Sequence, residues 1–147
     1  MNKIYLVEQI SRKGVTPEGV PIEDVETIGY FSNKKLVEKA KAKCSEAGID
    51  ERNVVVTELP LRFGSAQRYV FVLLYEYYLD TDPKEEYYCT FLPRASEEEC
   101  LMLRNRMALD PQYRKATGKH YYESSDGFRI LRYPINQFYS IRPMDRA

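Results

Sequence analysis

One run of the chain constrains its fold more than any other: Tyr69-Val70-Phe71-Val72-Leu73-Leu74-Tyr75 has no charged or turn-forming residue in it. In an extended strand, successive side chains point to opposite faces. Tyr69, Phe71, Leu73, Tyr75 and Tyr77 therefore share one face, and Val70, Val72, Leu74, Glu76 and Tyr78 share the other. A strand apolar on both faces belongs inside a sheet, because at an edge it would template aggregation. The rest of the chain must supply strands for both of its edges and cover for its faces.

The flanking sequence supplies such elements twice. Lys3 to Ile10 alternates in the period of a strand, and Ser11 to Pro21, with two glycines and two prolines, reads as a hairpin-like loop. Val25 to Phe31 is a second strand, in which Gly29 marks a bulge or a close backbone approach. A helix follows from Ser32 or Asn33 to Gly48, with a capping side chain at its start and a residue suited to the left-handed conformation at its end. Leu36, Val37, Ala40, Cys44 and Ala47 form its apolar stripe. Lys34, Lys35, Lys39, Lys41 and Lys43, interspersed with Glu38 and Glu46, form a solvated face. Asn53 to Leu59 is a third strand, rich in β-branched residues.

After Pro60 to Gln67 the order recurs. Arg68 to Leu79 and Lys84 to Leu92 are strands joined by Asp80-Thr81-Asp82-Pro83. Ser96-Glu97-Glu98-Glu99 is a capping box opening a helix to about Leu109, which stops before Asp110-Pro111. Phe128 to Tyr133 closes the series. The expected fold is α+β: a mainly antiparallel sheet of about six strands, continuous across the middle of the chain, with two helices on one face. It comprises two ββαβ halves, residues 1–62 and 68–134, in pseudo-two-fold arrangement within one compact domain, and a tail over residues 135–147.

Composition narrows the function classes. Leu, Ile, Val and Phe make up about a quarter of the 147 residues, enough for a core. The 22 basic and 22 acidic residues balance, which excludes a simple polycation or an acidic tail protein. No stretch approaches the ~18 apolar residues of a membrane span, and the apolar run after Met1-Asn2-Lys3 is too short for a signal-peptide core. A cytoplasmic protein without a membrane partner is expected. The three cysteines, Cys44, Cys89 and Cys100, are too few and too scattered for a disulfide framework or a metal knuckle, and read as packed thiols. With His120 the only histidine, neither a metal nor a cofactor is expected. Phosphate-loop, dinucleotide and nucleophile-elbow spacings are absent.

What stands out is tyrosine: thirteen of them with no tryptophan, nine of the thirteen between Tyr69 and Tyr122. A Tyr-rich sheet face packs internally, for example with Tyr87 and Phe91 on the neighbouring strand, or forms a protein interface, since Tyr offers large contact area and a polar tip. The leading expectation is a non-enzymatic interaction protein that binds a protein partner, or a second copy of itself as a homodimer, through Tyr69, Phe71, Tyr75 and Tyr77. A regulator or inhibitor carried by a phage or another mobile element fits this size and the lack of catalytic motifs.

Charge supplies the alternative. Glu76 to Glu99 is acidic, whereas Cys100 to Ala147 is basic and mostly through arginine. Within the basic part, Arg114, Lys115, Lys119, His120, Tyr121 and Tyr122 interleave cations with rings, as in a surface that binds single-stranded nucleic acid. Pairing of these bases with the acidic hairpin inside one fold is the simpler expectation. His120 beside Glu123 is the one acid–base pair that an enzyme would use.

Overall fold

A computed structural model describes residues 2–61, 64–66, 68–113, 118–122 and 126–139, with Arg12 and Lys13 placed only as backbone. Its strands are β1 (Asn2–Val15), β2 (Pro21–Phe31), β3 (Val54–Leu61), β4 (Tyr69–Leu79), β5 (Glu85–Thr90), β6 (Lys119–His120) and β7 (Phe128–Pro134), and its helices are α1 (Lys34–Glu46) and α2 (Glu97–Met107). The α+β class stands. The single sheet is replaced by two, one in the order β2-β1-β3 and one in which β4 lies between β5 and the pair β6 and β7. The described chain correspondingly divides into two compact units, one holding Lys3–Leu59 with residues 134–139, the other Asn2 with Pro60–Tyr133.

The reason for the split lies in β4. Tyr78 pairs with Glu86 of β5 and also with His120 of β6. Nearer the start of β4, Phe71 exchanges backbone hydrogen bonds of 2.9 and 2.7 Å with Arg94, and the Glu76 N–H donates to Gly127 O at 3.0 Å. Both edges of β4 are thus taken, so no edge is left for β3, which pairs with β1 instead. The doubly apolar strand is central, as its composition requires.

In the first unit, β1 extends beyond its expected end at Ile10. A register shift between Arg12 and Gly14, where Gly14 takes φ 122°, lets the ladder pass through a glycine, and the true turn is Thr16 to Val20. The Asn33 side chain caps α1 by accepting from the Leu36 N–H at 3.0 Å. Val37, Ala40 and Cys44 of α1 then pack on Tyr5, Val7, Ile28 and Phe31. Gly29 lies beside a second bulge in the β1–β2 ladder, and a Cβ built there would come within 2.5 Å of Gln137 O. That close approach belongs to the tail: Tyr139 N–H donates to Ile28 O, and Asn136 N–H to Tyr30 O.

In the second unit, the Ser96 hydroxyl accepts from the Glu99 N–H at 3.3 Å, and the Glu99 carboxylate accepts from the Ala95 N–H at 3.2 Å. This is the capping box, reaching one residue further back than its usual form. The core joins Leu103 of α2 to Leu73 and Tyr75 of β4 and Phe128 of β7, with Tyr113 and Tyr121 against it. Each helix therefore packs on the sheet of its own unit. Of the cysteines, Cys44 and Cys100 are buried, whereas Cys89 on β5 is exposed.

Candidate interaction surface

The tyrosines of the second unit are sorted by the two faces of β4. Tyr69, Phe71, Tyr75 and Tyr77 do share a face, and it is the face on which Leu103 and Phe128 pack. Tyr75 is only 3% exposed. Its ring lies 4.9 Å from that of Phe128 and 5.1 Å, edge-on, from that of Tyr113, so its side chain fills the core. Tyr77 is half-buried and stacks on Tyr87 of β5 at 5.1 Å, while Tyr69 is half-buried beneath the Arg132 guanidinium at 4.6 Å, beside Phe71. Cross-strand packing accounts for most of this ring set.

The basic segment is divided in the same way, because β6 is a strand. Lys119 and Tyr121 point to the core face, where the Lys119 ammonium lies 4.4 Å from the centre of the Tyr77 ring and donates to the Tyr75 hydroxyl at 3.4 Å. His120 and Tyr122 point the other way, against Tyr78, with ring centres 5.2 and 4.8 Å away. Two of the described members thus line the core and two lie against Tyr78 on the opposite face. Arg114, Lys115 and Glu123 lie outside the described residues.

Val70, Val72 and Leu74 on this opposite face are buried as well, so only its end at Glu76 and Tyr78 is open; there a second constellation forms, which includes residues that the sequence patterns did not single out. Tyr78, Tyr122, Tyr88, Glu76 and Glu86 meet Lys84 and Arg129 there. The Lys84 ammonium sits over Tyr78 at 4.4 Å and over Tyr122 at 5.2 Å, and pairs with the Glu86 carboxylate at 3.5 Å. Glu86 also accepts a hydrogen bond from the Tyr122 hydroxyl. That bond pushes the Tyr122 phenol up to about 12 and lowers the Glu86 carboxyl below its usual range. Arg129 pairs with Glu76 at 3.3 Å. Glu76, Glu86, Tyr87, Tyr88, Tyr122 and Arg129 line an open depression of about 320 Å³. The signal available in the sequence was register: Glu86 stands opposite Tyr78, and Tyr88 opposite Glu76, once β4 and β5 are paired.

The flank of this face is β5, exposed at all six of its residues, with Tyr88 at 78%. Its backbone orientation follows from the ladder. Phe91 N–H donates to Leu73 O, and residues alternate between bonding inward and pointing outward along an antiparallel pair. Glu85, Tyr87 and Cys89 therefore bond to β4, and the N–H and C=O groups of Glu86, Tyr88 and Thr90 point away from the sheet. Glu76 N–H bonding toward Gly127, on the far edge of β4, obeys the same alternation. Among the described residues no strand pairs with this outer edge.

Among the described residues, no helix is long and apolar enough to cross a membrane, and no three His, Cys, Asp or Glu side chains converge as a metal site would need. No family model, no curated protein and no solved structure is similar to this chain.

Proposed function

We propose that this chain is a non-enzymatic protein-binding module that docks through its second unit, with the outer edge of β5 as the docking strand. The observation that carries the reading is the combination of an edge strand exposed at every residue with tyrosines on both of its faces, Tyr87 and Tyr88. Native edge strands are ordinarily blunted by shortness, charge, proline, bulges or a covering element; the charge on β5 is confined to its first two positions, Glu85 and Glu86. β5 has a regular register with β4 and no proline. An added strand gains main-chain hydrogen bonds from the edge and contact area from the tyrosines. Docking of this kind is how a small regulator or inhibitor acts, and a second copy of the chain is the other occupant such an edge admits.

The expectation placed the interface on Tyr69, Phe71, Tyr75 and Tyr77. The proposal moves it to the edge and to the opposite face, because Tyr75 is core. The test uses proline, which is tolerated on an edge strand where the lost N–H faces solvent. Tyr88→Pro removes an outward N–H and leaves the β4–β5 ladder intact, whereas Tyr87→Pro breaks that ladder. Partners recovered from an extract of the native host, and self-association measured by sedimentation velocity, are compared for wild type and Tyr88→Pro. The reading expects a partner or dimer that is lost in Tyr88→Pro while circular dichroism stays unchanged. Equal recovery and equal sedimentation with both proteins would refute it.

A further inference from the structure

The ring pair beside β5 already holds a cation. Lys84, one residue before β5 begins, places its ammonium over Tyr78 and Tyr122 and against the Glu86 carboxylate. A tyrosine face attracts a cation through its quadrupole, and a carboxylate beside it adds direct charge pairing. The site is thus built for an ammonium or guanidinium, and Lys84 shows that one fits. Its occupant is exposed, at 46% of its side chain, and its ion pair is long. An exposed pair of this kind contributes little, and the two ring contacts that also hold Lys84 are equally available to a competing cation.

The same edge is acidic. β5 carries Glu85 and Glu86 and no base, and the preceding linker adds Asp80 and Asp82. Glu86 and Tyr88 project onto the face of the ring pair, while Glu85 and Tyr87 project onto the other face, where the Tyr87 hydroxyl donates to the Glu85 carboxylate. A strand laid along β5 would therefore meet a carboxylate and a tyrosine on each of its two faces. From charge complementarity, the free edge and the seated ammonium together, we infer that the occupant of β5 is an extended segment of a partner protein rich in Lys or Arg at alternate positions, one of whose cations displaces Lys84 from Tyr78 and Tyr122. A second copy offers no such cation: in a symmetric antiparallel pair of β5 strands centred on Tyr88, Glu86 would face Thr90, and β5 carries no base. This inference rests on β5 being the docking edge and adds the chemistry of the partner.

The experiment is fluorescence anisotropy on the full chain with three labelled peptides: alternating Lys-Thr, alternating Glu-Thr, and the Lys-Thr peptide N-methylated throughout. The Lys-Thr peptide is expected to bind at least tenfold more tightly than either of the others. Glu86→Gln and Tyr122→Phe, with unchanged circular dichroism, each weaken it severalfold, and Lys84→Gln, which removes the competitor, tightens it. If Lys-Thr and Glu-Thr bind equally while N-methylation abolishes both, the basic partner is refuted and the docking edge stands. If the N-methylated peptide binds as well as its parent, only charge attraction is at work, and the docking edge fails too. If no peptide binds, the basic partner is refuted, and the Tyr88→Pro comparison decides the edge on its own.

Discussion

Tyr75→Ala separates a core residue from an interface residue more sharply than any other change in the molecule. The side chain is 3% exposed, and its ring contacts those of Phe128, Tyr113, Tyr77 and Tyr121 at 4.9, 5.1, 5.8 and 6.3 Å. Truncating a buried aromatic costs about 3–5 kcal/mol, from lost transfer free energy plus the cavity left behind. The hydroxyl contributes less, because its contacts to Lys119 and Tyr121 are long, at 3.4 and 3.5 Å. A hydrogen bond of ordinary geometry contributes about 0.5–1.5 kcal/mol, so Tyr75→Phe falls at or below the low end of that range. Against a typical domain stability of about 5–15 kcal/mol, the alanine variant is severely weakened and the phenylalanine variant barely altered. A loss near 4 kcal/mol lowers Tm by roughly 8–16 °C for a chain of this size. Urea unfolding followed by tyrosine fluorescence and circular dichroism reads both. A Tyr75→Ala protein within about 1 kcal/mol of wild type would refute the placement of Tyr75 in the core, since that is below the smallest cost a filled aromatic site shows.

Two further outcomes follow from local geometry. Gly29→Ala places a Cβ 2.5 Å from Gln137 O and 2.9 Å from the Phe31 ring, so chain displacement is expected to cost about 1–3 kcal/mol; a chemical-denaturation midpoint equal to wild type would contradict that close approach. Tyr122 ionises at about 12 because its hydroxyl donates to Glu86, so the bond stabilises the folded protein fully below the ordinary phenol range and is lost as pH rises through that value. At the acid end, the lowered Glu86 carboxyl keeps its contribution above its usual range and loses it as pH falls through its folded value. In a phenolate absorbance titration, Glu86→Gln should bring one late-titrating tyrosine down toward the others, and an unchanged curve would show the bond to be absent.

Much of the fold was legible because local chemistry fixes it. The capping side chains Asn33 and Ser96 announced both helices, and the doubly apolar run from Tyr69 announced a central strand. The splitting of the sheet was not legible, since it depends on β6 and β7 both taking the second edge of β4, a pairing that strand periodicity does not specify. A two-residue strand has no periodicity to detect. The hairpin of β1 and β2 was read too short because glycine and proline signal a turn, whereas Gly14 serves here as a bulge inside the ladder. The candidate site shows a sharper limit. Period two correctly grouped Tyr69, Phe71, Tyr75 and Tyr77, but it carries no information on which face the helix covers. The open end of the other face depended on pairing register, which set Glu86 against Tyr78 and brought Lys84 and Tyr122 beside them.

The central claim is that the outer edge of β5 is open in the free protein, and amide hydrogen exchange resolved by residue tests it most directly. Fast exchange is expected at Glu86, Tyr88 and Thr90, whose N–H groups point away from the sheet, with slower exchange at Tyr87 and Cys89, which bond to β4. Equal protection of all five amides in the isolated chain would mean that this edge is already covered, and would contradict the account.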